Sequence, residues 1–462
     1  MIEKIQQIRS KALNCASEIQ KYESVYVVSH IDADGLTSAG IIGKALERAG
    51  IEHTIHFVKQ LDEIEIENIA NENPELAIFT DLGSGMIESL NSHGINSVIS
   101  DHHQPRGELE HHLNPHLFGF NGSYELSGSG MTYMLANALG DNRDLADLAI
   151  VGAIGDLQHL KKGHLTGINR YILEEGAKEG NLHYEKDIML FGKQTRPVFK
   201  LLQFASDPYL PGLTGNEDAC IGFLHDLGIR FSRDERWRRW IDLEQNDKQK
   251  IVSALIQYSL RSGLPPYKIE RLIGEVYILV NEKEGTEMRD ASEYSTLLNA
   301  TARYGHADIG LAVCMGDRGE AYESARQLLS EHRQNLVNGL MFVKENGITE
   351  MKNLQYFDAG SSIMETIVGI IAGMSTSVVG NRSLPIIAFA DAKDGVKVSA
   401  RGTQDLIRKG LNLSEAMAVT TAEVGGAGGG HDIAAGATIP FDAKEKFLQK
   451  LDSVLGEQLR KK

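Results

Sequence analysis

The first third of the chain alternates short apolar runs with longer amphipathic stretches. Val25–Ser29, Thr54–Val58, Leu76–Thr80 and Ser97–Ser100 have the length and β-branched or aromatic character of buried strands. Between the first two, Leu36, Ala39, Ile42, Gly43 and Leu46 recur at helical spacing and the pattern stops at Gly50. Met131–Leu139 and Leu145–Ile154 read as two more helices. Strands alternating with helices predict an α/β fold, a parallel sheet with helices on both faces. Sheets of that kind take their ligands at the carboxyl ends of the strands.

The pattern changes near residue 165. To about 275 it is helical and charged, broken by Pro208, Pro211, Pro265 and Pro266. Arg233, Arg236, Arg238 and Arg239 surround Trp237 and Trp240 there, a grouping that reads as a charged surface helix with two anchoring tryptophans. A second α/β pattern opens near Gly274. Its strand-like runs are Val276–Val280, Ile309–Cys314, Pro385–Ala390 and Val396–Ala400. Its helical runs are Tyr322–Val343 and Ile363–Ala372; a glycine-dense segment, Gly425–Gly430, and a charged helix around Ala443–Lys461 follow. The expected division is a metal-binding domain over 1–165, a helical connector over 166–275, an inserted α/β region over 276–350 and a smaller α/β domain over 351–462.

With 462 residues the chain is long enough for two or three such domains. No apolar stretch approaches the ~20 residues of a membrane-spanning helix, and the N-terminus mixes charges (Glu3, Lys4, Arg9, Lys11). The expectation is a cytoplasmic protein without a membrane partner. Cys15, Cys220 and Cys314 are widely spaced and show no zinc or disulfide pattern. The net charge of −16 argues against a protein that coats nucleic acid non-specifically. It leaves room for a metal site, which needs clustered carboxylates and whose ions add positive charge of their own.

Candidate chemistry sits where the apolar runs end. His30, Asp32 and Asp34 follow the first run, Asp81 the Leu76–Thr80 run, and Asp101, His102 and His103 the Ser97–Ser100 run; Asp156 closes Ile150–Gly155. Taken singly, each Asp reads as a cap or turn residue and each His as a satisfied imidazole. Taken together, four independent segment ends all carry Asp or His, which points to one convergent site. Carboxylates with imidazoles suit Mn²⁺ or Mg²⁺. Six to eight such groups are too many for one ion and enough for two, which ~3.5–4 Å apart can clamp both oxygens of a phosphoryl transfer.

Ser29-His30-Ile31-Asp32-Ala33-Asp34-Gly35, Thr80-Asp81-Leu82-Gly83, Ser100-Asp101-His102-His103-Gln104 and Gly152-Ala153-Ile154-Gly155-Asp156 resemble the four motifs of the DHH phosphoesterase superfamily, in order and in the spelling of its RecJ branch. The resemblance implies that Asp81 bridges two divalent ions, Mn²⁺ preferred and Mg²⁺ possible. It implies that His30 and Asp32 hold one ion and that Asp34, His102 and Asp156 hold the other. Asp101 would orient an imidazole from behind the ligands and His103 would face the phosphate.

Gly425-Gly426-Ala427-Gly428-Gly429-Gly430-His431 resembles the glycine-rich motif of the accompanying DHHA1 substrate-binding domain, and Val396–Arg401 its arginine-bearing strand. Glycines let a backbone approach an anion closely. Gly428, Gly429, Gly430 and His431 are therefore expected at the substrate, with Arg401 as a bidentate phosphate clamp and the active site in a cleft between the two domains. Arg289–Ala300 resembles archaeal RecJ-like sequences; Arg289, Asn299 and Arg303 line a substrate channel or belong to a solvated amphipathic helix. The resemblance leads one to expect a chain without the extra β-barrel of larger bacterial RecJ proteins and with more between DHH and DHHA1 than short oligonucleotidases have. The whole resembles archaeal RecJ-like single-strand-specific exonucleases acting on DNA, RNA or both in repair, recombination or replication, some of which associate with the GINS complex. The alternatives are a small-substrate phosphodiesterase of the same superfamily, hydrolysing oligonucleotides or cyclic dinucleotides, and a replisome scaffold.

Overall fold

A computed structural model describes residues 2–205, 207–233 and 236–460. The chain divides into two units, Met1–Leu329 and Ser330–Lys462. The first begins α1 (Ile2–Ile19), β1 (Ser24–His30), α2 (Ala33–Ala49), β2 (Glu52–Val58), α3 (Glu63–Glu72), β3 (Ala77–Thr80) and α4 (Ile87–Ser92). It continues with β4 (Ser97–Ser100), β5 (His112–Leu113), α5 (Gly128–Leu139) and α6 (Ala146–Gly155). The five strands are parallel, in the order β2-β1-β3-β4-β5.

Every residue of β3 and β4 is buried, because helices cover both faces and such strands read as unbroken apolar runs. Val27, Ile78 and Val98 point into the core shared with α1, α2, α5 and α6, whereas Val28, Phe79 and Ile99 face α3 and α4. Register then sets the chemistry. Ser29 pairs with Thr80 and Thr80 with Ser100, so the residues just past those three, His30, Asp81 and Asp101, leave the sheet side by side.

Within the 166–275 stretch, Ile168, Ile172, Leu173 and Leu182 join the core of the parallel-sheet region, whereas the residues from Ile188 to Leu272 pack around an apolar cluster of their own, which includes Phe199, Leu202, Leu224, Trp240 and Leu255. The stretch contains a strand, Leu182–Ile188, paired antiparallel with Ile273–Leu279. The expected surface helix at 233–240 is instead two short antiparallel strands, Ser232–Arg233 and Arg236–Trp237, followed by a 3₁₀ turn from Trp240 to Asp242. Trp240 is buried, with its Nε1–H on Asp187 at 2.7 Å; Trp237 is 51% exposed and stacks on Phe231. The side chain of Arg233 lies outside the described residues.

The expected strand Ile309–Cys314 is a helix, Ala307–Met315. Six apolar residues satisfy either period. Here Gly310 lies against Leu36 and Thr301, and Gly316 ends the helix at φ 112°. After Ile273–Leu279, the stretch from 280 to 348 is helical, chiefly Ala291–Arg303, Ala307–Met315 and Glu320–Asn346.

The second unit is a six-stranded mixed sheet. Its strands run Thr349–Glu350, Gln355–Asp358, Ile386–Ala392, Gly395–Arg401, Ala434–Ile439 and Ala427–Gly430 in sheet order. Helices Leu413–Val424 and Lys444–Arg460 cover one face and Val368–Val378 the other. The expected helix at 363–372 thus begins later, at Val368, and Lys461 lies outside the described residues. Part of the glycine-dense segment, Ala427–Gly430, is the strand at the sheet's end. Cys15, Cys220 and Cys314 are buried and free of disulfides. Among the described residues, no helix is long and apolar enough to cross a membrane.

Candidate metal centre

Six side chains from the expected motifs meet in two groups of three. Ligand atoms of His30, Asp32 and Asp81 lie within 4.8 Å of one another, as do those of Asp34, His102 and Asp156. Asp81 stands between them. Its Oδ2 is 3.6 Å from His30 Nδ1 and its Oδ1 is 3.2 Å from His102 Nε2. Its backbone continues the ladder, donating to Ser100 O at 2.9 Å, and then turns at φ 59°, a left-handed conformation that Asp tolerates better than most residues.

The other carboxylates are aimed by helix ends. Asp32 caps α2, accepting the Gly35 N–H on Oδ1 at 3.0 Å, with Oδ2 3.1 Å from His30. Asp34, in the first turn of α2 and wholly buried, accepts the N–H groups of Gly128 and Ser129 at the start of α5 at 2.7 and 3.0 Å. Helix N-termini favour negative charge. Asp156 follows α6 and reaches within 3.3 Å of His102 Nε2. Glycines make the close approaches possible: a Cβ at Gly128 would collide with Asp81 Oδ1, and one at Gly152 with Asp34 and Ser129.

His102 Nδ1–H donates to the Gly122 carbonyl at 2.7 Å, which leaves Nε2 unprotonated for a cation in the neutral ring. Asp101 and His103 join Asp81 and His102 in a further group whose ligand atoms lie within 4.8 Å of one another, but both Asp101 oxygens already hold hydrogen bonds. Oδ1 accepts from the backbone of His102 and His103 and from His103 Nδ1 at 2.7, 3.1 and 2.8 Å, and Oδ2 from Ser84 N–H at 2.9 Å. The imidazole that Asp101 orients is therefore that of His103, whose side chain is 59% exposed.

Behind this row lies a buried polar network that the sequence reading did not pick out. Asn114 Nδ2 donates to His103 O and to Ser84 Oγ, each at 2.8 Å, and Ser84 Oγ lies 2.8 Å from His112 Nε2. The visible signal is Asn114-Pro115, a turn-initiating dipeptide after His112-Leu113.

The electrostatics are those of a crowded anionic site. Burial, then Asp81 and Asp156, push Asp34 well above the usual carboxylate range. Burial pushes Asp156 up to about 7. Burial opposes ionisation of Asp81 too, but His102 and His30 outweigh it and hold Asp81 low. His30 is raised to about 11, the pull of Asp32 and Asp81 overcoming its burial. Protons on imidazoles thus balance the carboxylates, a task divalent cations perform with hard oxygen donors. Asp81 Oδ1 is buried without a hydrogen-bond partner, the condition of an atom awaiting a ligand. The donor set fits divalent ions.

The remaining candidates divide between the edge of this centre and the second unit. Asn299 Oδ1 accepts the Ala33 N–H at 3.0 Å, at the start of α2. Arg289 Nη1 donates to the backbone carbonyls of Leu279, Val280 and Glu282. Burial lowers Arg303, against the opposing pull of Asp32. In the second unit, Arg401 ends its strand opposite Ala434, with Nη1 on Ala400 O at 2.8 Å and its guanidinium beside Gly369. Gly428, Gly429 and Gly430 pair with Ala437, Gly436 and Ala435, and the exposed His431 donates its N–H to Ala434 O at 2.8 Å.

A parallel sheet that gathers Asp and His at its strand ends into a metal-binding cluster defines a phosphoesterase of the DHH class. Residues 24–153 match the DHH family N-terminal domain, 190–273 the DHH-CID domain and 353–457 the DHHA1 domain. A protein of Methanocaldococcus jannaschii, "Uncharacterized protein MJ0831", is 35% identical over the full length of both chains. The chain belongs to the DHH/DHHA1 family. Its fold is similar to that of RecJ from Thermus thermophilus, crystallised with Mn²⁺ (16% identity, TM-score 0.60, 97% of this chain), of which it spans 55%. It is similar also to CDC45 from Entamoeba histolytica (12% identity, TM-score 0.67, 98% of this chain and 99% of that one).

Proposed function

We propose that the chain is a Mn²⁺- or Mg²⁺-dependent exonuclease that degrades single-stranded nucleic acid to mononucleotides. The observation that carries this reading is the position of Asp81, one oxygen turned to each group of three. In this reading His30, Asp32 and Asp81 hold one ion, and Asp34, His102 and Asp156 hold the other with Asp81 shared. Two bound ions supply activation of water and stabilisation of charge on the phosphate oxygens. The chain's own groups do the positioning. Asp101 holds the His103 ring with Nε2 outward, ready to donate to a phosphate oxygen when protonated. Arg401 offers a guanidinium fork to a strand phosphate, and Gly428–Gly430 with His431 offer backbone and imidazole to the same strand.

Digestion of end-labelled single-stranded DNA and RNA with Mn²⁺ tests the reading. Asp81→Ala is expected to abolish cleavage; undiminished cleavage overturns the two-ion assignment. A substrate series from dinucleotides to 30-mers separates the strand nuclease, which keeps its rate with length, from an enzyme of short substrates. Docking to the GINS complex is proposed on the sequence resemblance alone, and a pull-down with GINS subunits tests it.

A further inference from the structure

Residues 274–352 lie outside all three family matches, yet one helix from this stretch runs along the metal centre. In Ala291–Arg303, Tyr294, Leu297 and Leu298 are fully buried in the core shared with α2 and α6. The i, i+4 row of Ser295 and Asn299 lies on another side. A Cβ at Gly155, the residue before Asp156, would stand 3.5 Å from Ser295 Cβ. One turn on, Asn299 Oδ1 takes the Ala33 N–H at 3.0 Å. That N–H is one of the donors a helix start leaves without an intrahelical partner. Leu36 N–H goes to Asp32 O and Gly35 N–H to Asp32 Oδ1.

The helix itself is pinned. Asp290 caps it through the Ser292 and Glu293 N–H groups and pairs with the buried Lys193 at 3.1 Å. Glu293 accepts from Gln194 N–H at 2.8 Å and from the Thr195 hydroxyl.

We infer that Asn299 is a positioning residue for the metal centre: by holding the Ala33 N–H it fixes the turn on which Asp32 faces His30 and Asp81. This deepens the two-ion reading and rests on it. The carboxylate at the other end of the turn, Asp34, has its own anchors in the Gly128 and Ser129 N–H groups, so loss of Asn299 acts on one ion more than on the other.

The test is calorimetric titration of Mn²⁺ into the metal-free full chain, with circular dichroism to confirm folding. Asn299→Ala removes the acceptor. Asn299→Ser, tested beside it, leaves a hydroxyl too short to reach and serves if the alanine variant does not fold. Asn299→Asp keeps an acceptor oxygen. The expected result is a ~10–100-fold weaker affinity for one of two ions in the Ala and Ser variants, with near wild-type affinity in the Asp variant. Unchanged binding in the Ala or Ser variant overturns the inference and leaves the two-ion site standing. So does equal loss at both ions, or an Asp variant as weak as the others. A wild-type chain that binds no Mn²⁺ overturns the metal centre and this inference with it.

Discussion

Asp81, Gly128 and Gly152 show how little room the centre leaves. Gly128 has no side chain where Asp81 Oδ1 passes, and Gly152 none where Asp34 and Ser129 meet. Gly152→Ala forces buried oxygens apart and is expected to cost about 1–3 kcal/mol of stability, read as a lower Tm. Gly128→Ala moves Asp81 and is expected to weaken Mn²⁺ binding more than it weakens folding; titration and melting of the same variant check that order. His112 gives a pH prediction. Burial pushes its imidazole down to about 4, below the unfolded value of ~6.5. Between those values the unfolded chain binds a proton that the folded chain refuses, so this contribution is present above pH ~6.5 and is lost as pH falls through 4. Its full size is ~3 kcal/mol. His112→Gln is expected to flatten the fall in Tm between pH 7 and pH 5.

Among the elements, α5 joins the sheet to the site. Ser127 caps it, accepting the Gly130 N–H at 3.0 Å, and Ser127→Ala is expected to cost ~1 kcal/mol in denaturant melts. The strands and helices around it are legible in the sequence because period and burial agree there: three short runs and one helix lead to four acidic ends, and Gly50 stops α2 where its spacing stops. Legibility ends where a short run satisfies two periods. Ile309–Cys314 has strand composition, but Gly310 brings it against Leu36 as a helix. Trp237 and Trp240 are alike in sequence, and only the 3₁₀ turn after the second strand buries one and leaves the other out. The Gly428–Gly430 run carries no side-chain pattern, so nothing in it announces an antiparallel partner at Ala435–Ala437. Asn299 is visible as a polar residue on an amphipathic helix, but its bond to Ala33 spans 266 positions, which local pattern does not encode.

For the whole molecule, the two units divide the proposed work. The proposed metal ligands all belong to Met1–Leu329, and Arg401, Gly428–Gly430 and His431 all to Ser330–Lys462. Mn²⁺ at about 100 times its Kd is expected to stabilise the folded chain by ~2.7 kcal/mol, seen as a rise in Tm that EDTA reverses. Arg401→Ala is expected to leave that rise intact while raising the KM for single-stranded substrate. A variant that loses both would contradict the division. The net charge of −16 belongs to the same scale: under the proposed function it predicts that a strand is held at a few placed groups and not over a broad basic face.

Asp34 spends its two oxygens on the Gly128 and Ser129 N–H groups while facing His102 and Asp156. A cation drawing on that carboxylate must weaken what those two amides feel. Gly128 and Ser129 are thus built-in indicators: in a ¹⁵N-labelled chain their resonances would register occupancy of the ion proposed at Asp34, apart from its neighbour and without any substrate.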